Sequence, residues 1–163
     1  MWRVIALCCL FGSSAFGQIT TGYLSSPGAV ISSNPGNPTG TTSTAADVQM
    51  GLAVAFTPTR SGKVYVTLSG SLSNNTATDG GRVQLGYGTG TAPVNGAAAT
   101  GTACGPRVIG SPSGTNNQQF TFAVSCMITG LTVGTAYWLD ARVAAITGGT
   151  AAIGNLGVAG FEF

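Results

Sequence analysis

Apolar residues in this chain recur at every second position in a series of short runs, and no stretch of helical length shows a period of 3.6. Leu52, Val54 and Phe56 alternate with Ala53 and Ala55. Val64, Val66 and Leu68 fall on one side of a strand, with Tyr65, Thr67 and Ser69 on the other. Val83, Leu85 and Tyr87 interleave with Arg82, Gln84 and Gly86. The cleanest alternation is Phe120, Phe122, Val124, Cys126 and Ile128, with Thr121, Ala123 and Ser125 facing away. Tyr137, Leu139, Ala141 and Val143 follow, with Trp138, Asp140 and Arg142 opposed to them. A last strand over 153–163 finishes on Phe161 and Phe163. Gly-rich turns separate these runs, among them a passage over 88–101. Seven or eight short strands joined in this way predict an all-β fold, a β-sandwich of jelly-roll type over residues 48–163.

The segments before it read differently. Residues 1–17 have the form of a secretory signal: Trp2 and Arg3, an apolar run over 4–11, then small residues with Ala15 and Gly17 at −3 and −1. The run is short of the ~20 residues that span a bilayer. Leu7 stands before Cys8, where a lipoprotein signal needs a small residue. Residues 18–47 are rich in Ser, Thr, Gly and Pro, with almost nothing apolar to anchor them. A flexible N-terminal arm is the expectation there, because such a segment buries too little surface to offset chain entropy.

Charge narrows the function classes. After the signal the chain carries Arg60, Lys63, Arg82, Arg107 and Arg142 against Asp47, Asp79, Asp140 and Glu162, and the whole sequence has no His. Without a basic stripe there is no electrostatic footprint for nucleic acid. Without His a Ser-His-Asp triad cannot be assembled. The acids are scattered, so only Asp79 and Asp140 suggest themselves as a glycosidase pair brought together by folding. Asn74, Asn75 and Asp79 share a loop with oxygens suited to Ca²⁺, but a calcium loop normally concentrates several carboxylates. Gly86-Tyr-Gly88-Thr-Gly90 lacks the following helix that a phosphate loop needs, and reads as a surface loop. The expectation is a non-enzymatic protein with no cofactor and no metal.

Cys104 and Cys126 remain after the signal. In an oxidising compartment they form a natural disulfide pair, the alternative being a buried Cys126 with a free Cys104 nearby. Tyr65, Tyr87 and Trp138 are the aromatics open to three roles: core packing, a subunit interface, or stacking on a sugar ring. Asn74-Asn75-Thr76 is a glycosylation sequon in a eukaryotic host.

Phe56-Thr-Pro-Thr-Arg-Ser-Gly62-Lys-Val-Tyr65-Val-Thr-Leu resembles the pattern of C1q and tumour-necrosis-factor-like domains. Leu131-Thr-Val-Gly134-Thr-Ala-Tyr137-Trp138-Leu139 is similar to their Leu-x-x-Gly-Asp hairpin, with Thr135 in place of the Asp, and also to the tyrosine corner of fibronectin type III domains. The finish through Phe161 and Phe163 resembles a last strand packed at a threefold axis. With the signal implying a secreted or periplasmic location, this resemblance implies a recognition module that forms a homotrimer, for which a cell-surface glycan or protein is the expected class of ligand. With Tyr87-Gly-Thr-Gly-Thr-Ala-Pro93 at its middle, the body is also similar to small tailed-phage and prophage structural proteins, which implies a fibre tip, receptor-binding or head-decoration role on a virion surface. A third expectation is an extracellular fibre subunit whose arm adds a strand to the next molecule.

Overall fold

The computed structural model describes residues 28–110 and 115–163. The signal reading over 1–17, and the first part of the arm, lie outside the described residues. The described chain is all-β: nine strands in two antiparallel sheets packed face to face as a β-sandwich. One sheet has four strands in the order β1 (Val30–Ser33), β9 (Ala151–Glu162), β4 (Val64–Asn74), β7 (Phe120–Ile128). The other holds β2 (Val48–Gln49), β8 (Tyr137–Ala145), β5 (Gly81–Thr89) and β6 (Thr102–Gly110), with β3 (Val54–Phe56) also paired to β8.

The period-two pattern builds the core directly. Val64, Val66, Leu68, Val124, Ile128 and Val158 of the four-stranded sheet meet Val83, Leu85, Leu139, Ala141 and Val143 of the other, all buried. The chain passes from one sheet to the other between β1 and β2, β3 and β4, β4 and β5, β6 and β7, β7 and β8, and β8 and β9. Apart from the consecutive pair β5–β6, each layer is therefore assembled from strands distant in sequence, and the fold is dominated by long-range pairing.

Three local departures from the sequence expectations matter. Residues 28–47 are part of the sandwich. Val30 to Ser33 pair with Phe161 to Val158, Ile31 is buried in the core, and Thr41 bridges Ala151. One buried Ile and a ladder of backbone bonds anchor a segment whose composition reads as an arm. Second, β6 carries Gly105 and Pro106 and shows no alternation, yet it pairs with β5 across a register shift between Val83 and Leu85. Third, Gly86 and Gly88 lie within β5 and not in a surface loop. A Cβ on Gly86 would sit 2.6 Å from Arg142 Nε, and one on Gly88 would sit 2.5 Å from the Trp138 ring. Glycine is required because the neighbouring strand lays a large side chain across each position.

Cys104 and Cys126 are joined as a disulfide, with Cα atoms 5.7 Å apart. They lie on β6 and β7, edge strands of different sheets, so the bond fastens the two layers at one open side. It closes a loop with a sequence separation of 22. Replacing both cysteines with Ala should lower unfolding stability by about 3 kcal/mol. Urea unfolding of the double variant checks this, and an unchanged midpoint would show that packing alone holds the layers.

Candidate functional site

The two outer faces of the sandwich differ sharply. That of the five-stranded sheet is covered by the chain itself. Trp138, Asp140 and Arg142 point out from β8 as the alternation predicts, and all three are nevertheless buried. The segment before β2 crosses this face: Ser43 O accepts from Ala145 N, and Asp47 bonds Arg82 at 2.9 Å and Arg107 at 2.6 Å. The long β5–β6 connection pairs with β2 through Val48 and Ala98, and the Thr100 carbonyl accepts from Gln49 Nε2 and Arg142 Nη2. Trp138 lies against Gly88 and Gly101, and its Nε1 donates to Thr89 O. Trp138 is thus packed within its own chain and presents no platform.

Burial pushes the Arg142 guanidinium down from its ordinary value, partly offset by the charges of Asp47 and Asp140. Gln49 and Arg142 pair in the β2–β8 register, and neither Gln49 Oε1 nor Arg142 Nε, both buried, makes a hydrogen bond to described residues. Leaving each buried and unpaired costs about 1–3 kcal/mol.

Every acid is engaged in holding backbone or an ion pair. Asp47 spans the two arginines. Asp140 accepts from Gly51 N, Leu52 N and Ala141 N, filling the break between β2 and β3, where Ala53 adopts φ 50°. Burial dominates there and raises its carboxyl above the ordinary value, against those N–H groups. Asp79 accepts from Gly80, Thr147 and Gly148 N. Burial works to raise its carboxyl, but the amides outweigh it and hold it low.

Asp79 and Asp140 do not converge. The amides held by Asp79 lie beyond the end of β8, seven residues from Asp140, roughly 23 Å at strand rise. That exceeds the spacing of a glycosidase pair. The supposed calcium loop is likewise committed: Asn74 Oδ1 accepts from Thr76 N, and Asn75 Oδ1 accepts from Thr150 N. Asn74 is buried, with its Nδ2 donating to Gly80 O and Gly148 O, so the sequon is closed to a glycosyltransferase in the folded protein. No group of three His, Cys, Asp or Glu side chains gathers among the described residues.

Glu162 is the most heavily bonded group. One carboxyl oxygen accepts from Thr59 N at 2.8 Å and Ala29 N at 3.1 Å. The other accepts from Arg60 N at 2.8 Å, Ser61 N at 2.6 Å and Gly62 N at 3.0 Å. Burial works to raise this carboxyl, and the amides of Thr59, Ala29, Arg60 and Ser61 together overcome it and hold it far below the usual range.

The outer face of the four-stranded sheet is open from the row at Tyr65 to the row at Ser69, and beyond it Asn37 and Asn155 cap Gly154 and the buried Ser71. Register aligns Val30, Phe161, Tyr65 and Met127 in one row across all four strands, on the side away from the core. They are 69%, 51%, 37% and 60% exposed, against the burial of Ile31, Val64, Val66, Cys126, Ile128 and Glu162 beside them in the chain. Phe163, also 51% exposed, extends the row: Tyr65 and Phe161 ring centres are 5.9 Å apart, Phe161 and Phe163 6.3 Å. Hydrogen bonds from Ser125 and Thr67 lower the Tyr65 phenol from its ordinary value. Behind this ridge the next rows are low: Ala159, Thr67 and Ser125, then Gly157, Ser69 and Ala123. Glu162 is the sole charged residue in the four strands, and it faces inward.

Of the aromatic candidates, the fold therefore gathers Tyr65, Phe161 and Phe163. It separates Trp138, packed on the other sheet, and Tyr87, which packs half-buried against the core. Val30 and Met127 were not singled out from sequence. Met127 was legible as the continuation of the outward series Thr121, Ala123, Ser125. Val30 lay hidden in the segment read as an arm. A cleft of about 440 Å³ opens between residues 35–39, 50–52 and Asn95, and it holds no charged group. No helix among the described residues is long and apolar enough to cross a membrane.

These features define a two-sheet β-sandwich with a disulfide between its layers, one self-covered face and one apolar exposed face. No family model matches the chain, and no curated protein matches it.

Acid titration tests the Glu162 arrangement. A carboxyl depressed in the folded state contributes stability above the ordinary Glu value near 4.5, and that contribution is lost as pH falls through the folded value. Stability should therefore fall progressively below about pH 4.5. Glu162→Gln should cost about 2–3 kcal/mol at neutral pH and flatten the acid limb. Denaturant midpoints from pH 7 down to pH 2 give both quantities. Parallel curves for the two proteins would remove Glu162 from the account.

Proposed function

We propose that this chain is a secreted, non-enzymatic β-sandwich of jelly-roll type, a surface recognition or structural module that works as a homo-oligomer in the extracellular space or periplasm. The observation that carries this reading is the open part of the outer face of the four-stranded sheet. A row of exposed apolar side chains, on a sheet whose only charged strand residue faces inward, is a contact surface and has no reacting group. The inter-sheet disulfide suits an oxidising compartment. The four carboxylates are committed to backbone amides and to Arg82 and Arg107, which leaves no acid–base pair to drive hydrolysis. The low count of charged residues, six basic and four acidic, favours association over repulsion between copies.

Expression of the full-length gene in a bacterium, followed by intact mass of the exported fraction, tests the reading. The expected product begins at Gln18 and is two hydrogens lighter than the reduced chain. A full-length chain kept in the cytoplasm with free thiols would overturn it and favour the virion-component alternative.

A further inference from the structure

We infer that the outer face of the four-stranded sheet binds a second copy of this chain, sheet against sheet, about a two-fold axis. The inference deepens the module reading above and rests on it only in taking the protein to act as an assembly. It differs from the threefold contact that the resemblance to C1q-like domains implies.

The shape of the face carries the argument. It is a ridge at one end (Val30, Phe161, Tyr65, Met127) and a low floor of Gly157, Ser69 and Ala123 two pleats away. A two-fold axis running along the intervening row, at Thr67, turns one copy end for end over the other. The ridge of each copy then falls on the floor of its partner, Tyr65 over Ser69 and Met127 over Ala123. A surface with large side chains at one end and small ones at the other is complementary to itself under this single operation. Within the strands no charge points to this face, Glu162 being turned inward and Lys63 lying just before β4 at the end of the ridge, so nothing opposes the stacking over the ridge and floor.

The size reaches the threshold for a reversible pairing. Four strands about 4.8 Å apart give a width of roughly 19 Å, and about eight residues of overlap give roughly 26 Å of length. Face-to-face contact then covers roughly 500 Å² per copy, on the order of 1,000 Å² in all, the lower bound for a biological interface and the range of a reversible one. The molecule's own long connections favour the same conclusion. The segment before β2 and the β5–β6 connection both fold over the five-stranded sheet, whereas on the other only Asn34 and Asn37 reach in from the β1 margin, beside Gly157 and Gly154, and leave the ridge and the Ser69–Ala123 floor open.

The test uses two single variants of the exported protein, Tyr65→Glu and Ser69→Arg, at exposed positions on one strand. Wild type should have the native mass of two chains at micromolar concentration. Each variant alone places an unpaired charge in the contact and should raise the dissociation constant at least roughly thirtyfold, giving monomers. Mixed together, they should form heterodimers, because the carboxylate introduced on one chain meets the guanidinium introduced on the other. Circular dichroism and a retained disulfide establish that each variant is folded. A wild type that is monomeric, or has the mass of three chains, overturns the two-fold pairing. So does an oligomer that survives both substitutions, or a mixture that stays monomeric. Wild-type monomers that sediment with insoluble polysaccharide or lipid vesicles, and cease to do so as Tyr65→Glu, overturn it too and assign the ridge to that partner. None of these outcomes disturbs the start at Gln18 or the disulfide, so loss of the pairing is distinguishable from loss of the secreted-module reading.

Discussion

The Glu162 carboxylate closes the sandwich at one end. It sits inside a shell of backbone N–H groups from Ala29 and residues 59–62, so one side chain satisfies donors from separate parts of the chain. Those donors belong to the approach to β1 and to the crossover that carries the chain from β3 in one sheet to β4 in the other. A crossover between layers cannot complete a ladder, and its amides need acceptors if they are to leave water. A carboxylate offers about four acceptor sites and accepts strongly because it is charged. Much of the register between β1, β9 and β4 depends on this end being fixed, since the three strands start or finish there.

The same device recurs wherever the ladder is interrupted. Asp140 fills the break between β2 and β3, and Asp79 gathers the turn after β8. In a chain with so few charges, three of the four acids hold the irregular backbone that a two-layer fold with many crossovers creates, and the fourth, Asp47, ties Arg82 to Arg107. Trp138 and Arg142 answer a related need. Each lies over a glycine of β5, and together they let residues 94–101 settle onto the sheet without an intervening gap.

The layers themselves were legible in the sequence because inward and outward residues along β4, β7 and β8 differ in kind. Phe122, Val124 and Cys126 against Thr121, Ala123 and Ser125 leave no ambiguity about which side meets the core. β6 was not legible: Gly105 and Pro106 break the period, and its pairing depends on a bulge and on the Cys104 bond to β7. β1 was hidden for a different reason. Its position is set by one buried side chain, Ile31, and by backbone bonds to β9, and backbone bonds leave no mark in composition. The fate of Trp138, Asp140 and Arg142 was half legible. Alternation placed them on the outer side of β8, but only the path of two distant connections determines that this side is covered. The exposed row is the mirror case. It is a property of register across β1, β9, β4 and β7, and no single strand reveals it.

The disulfide and β1 sit on opposite margins of the sandwich, and this gives the molecule two unlike sides under load. Val30 lies opposite Phe161 in an antiparallel pair, so Ala29 and Phe163 emerge together at one end of the four-stranded sheet. A force drawn between them pulls at right angles to the strands and opens the β1–β9 ladder one rung at a time, the mode in which hydrogen bonds resist least. On the far margin the Cys104–Cys126 bond joins the layers covalently and cannot be opened that way. Tension would therefore peel the molecule from its β1 side, lengthening it by a short, recoverable segment while the clasped side keeps its shape.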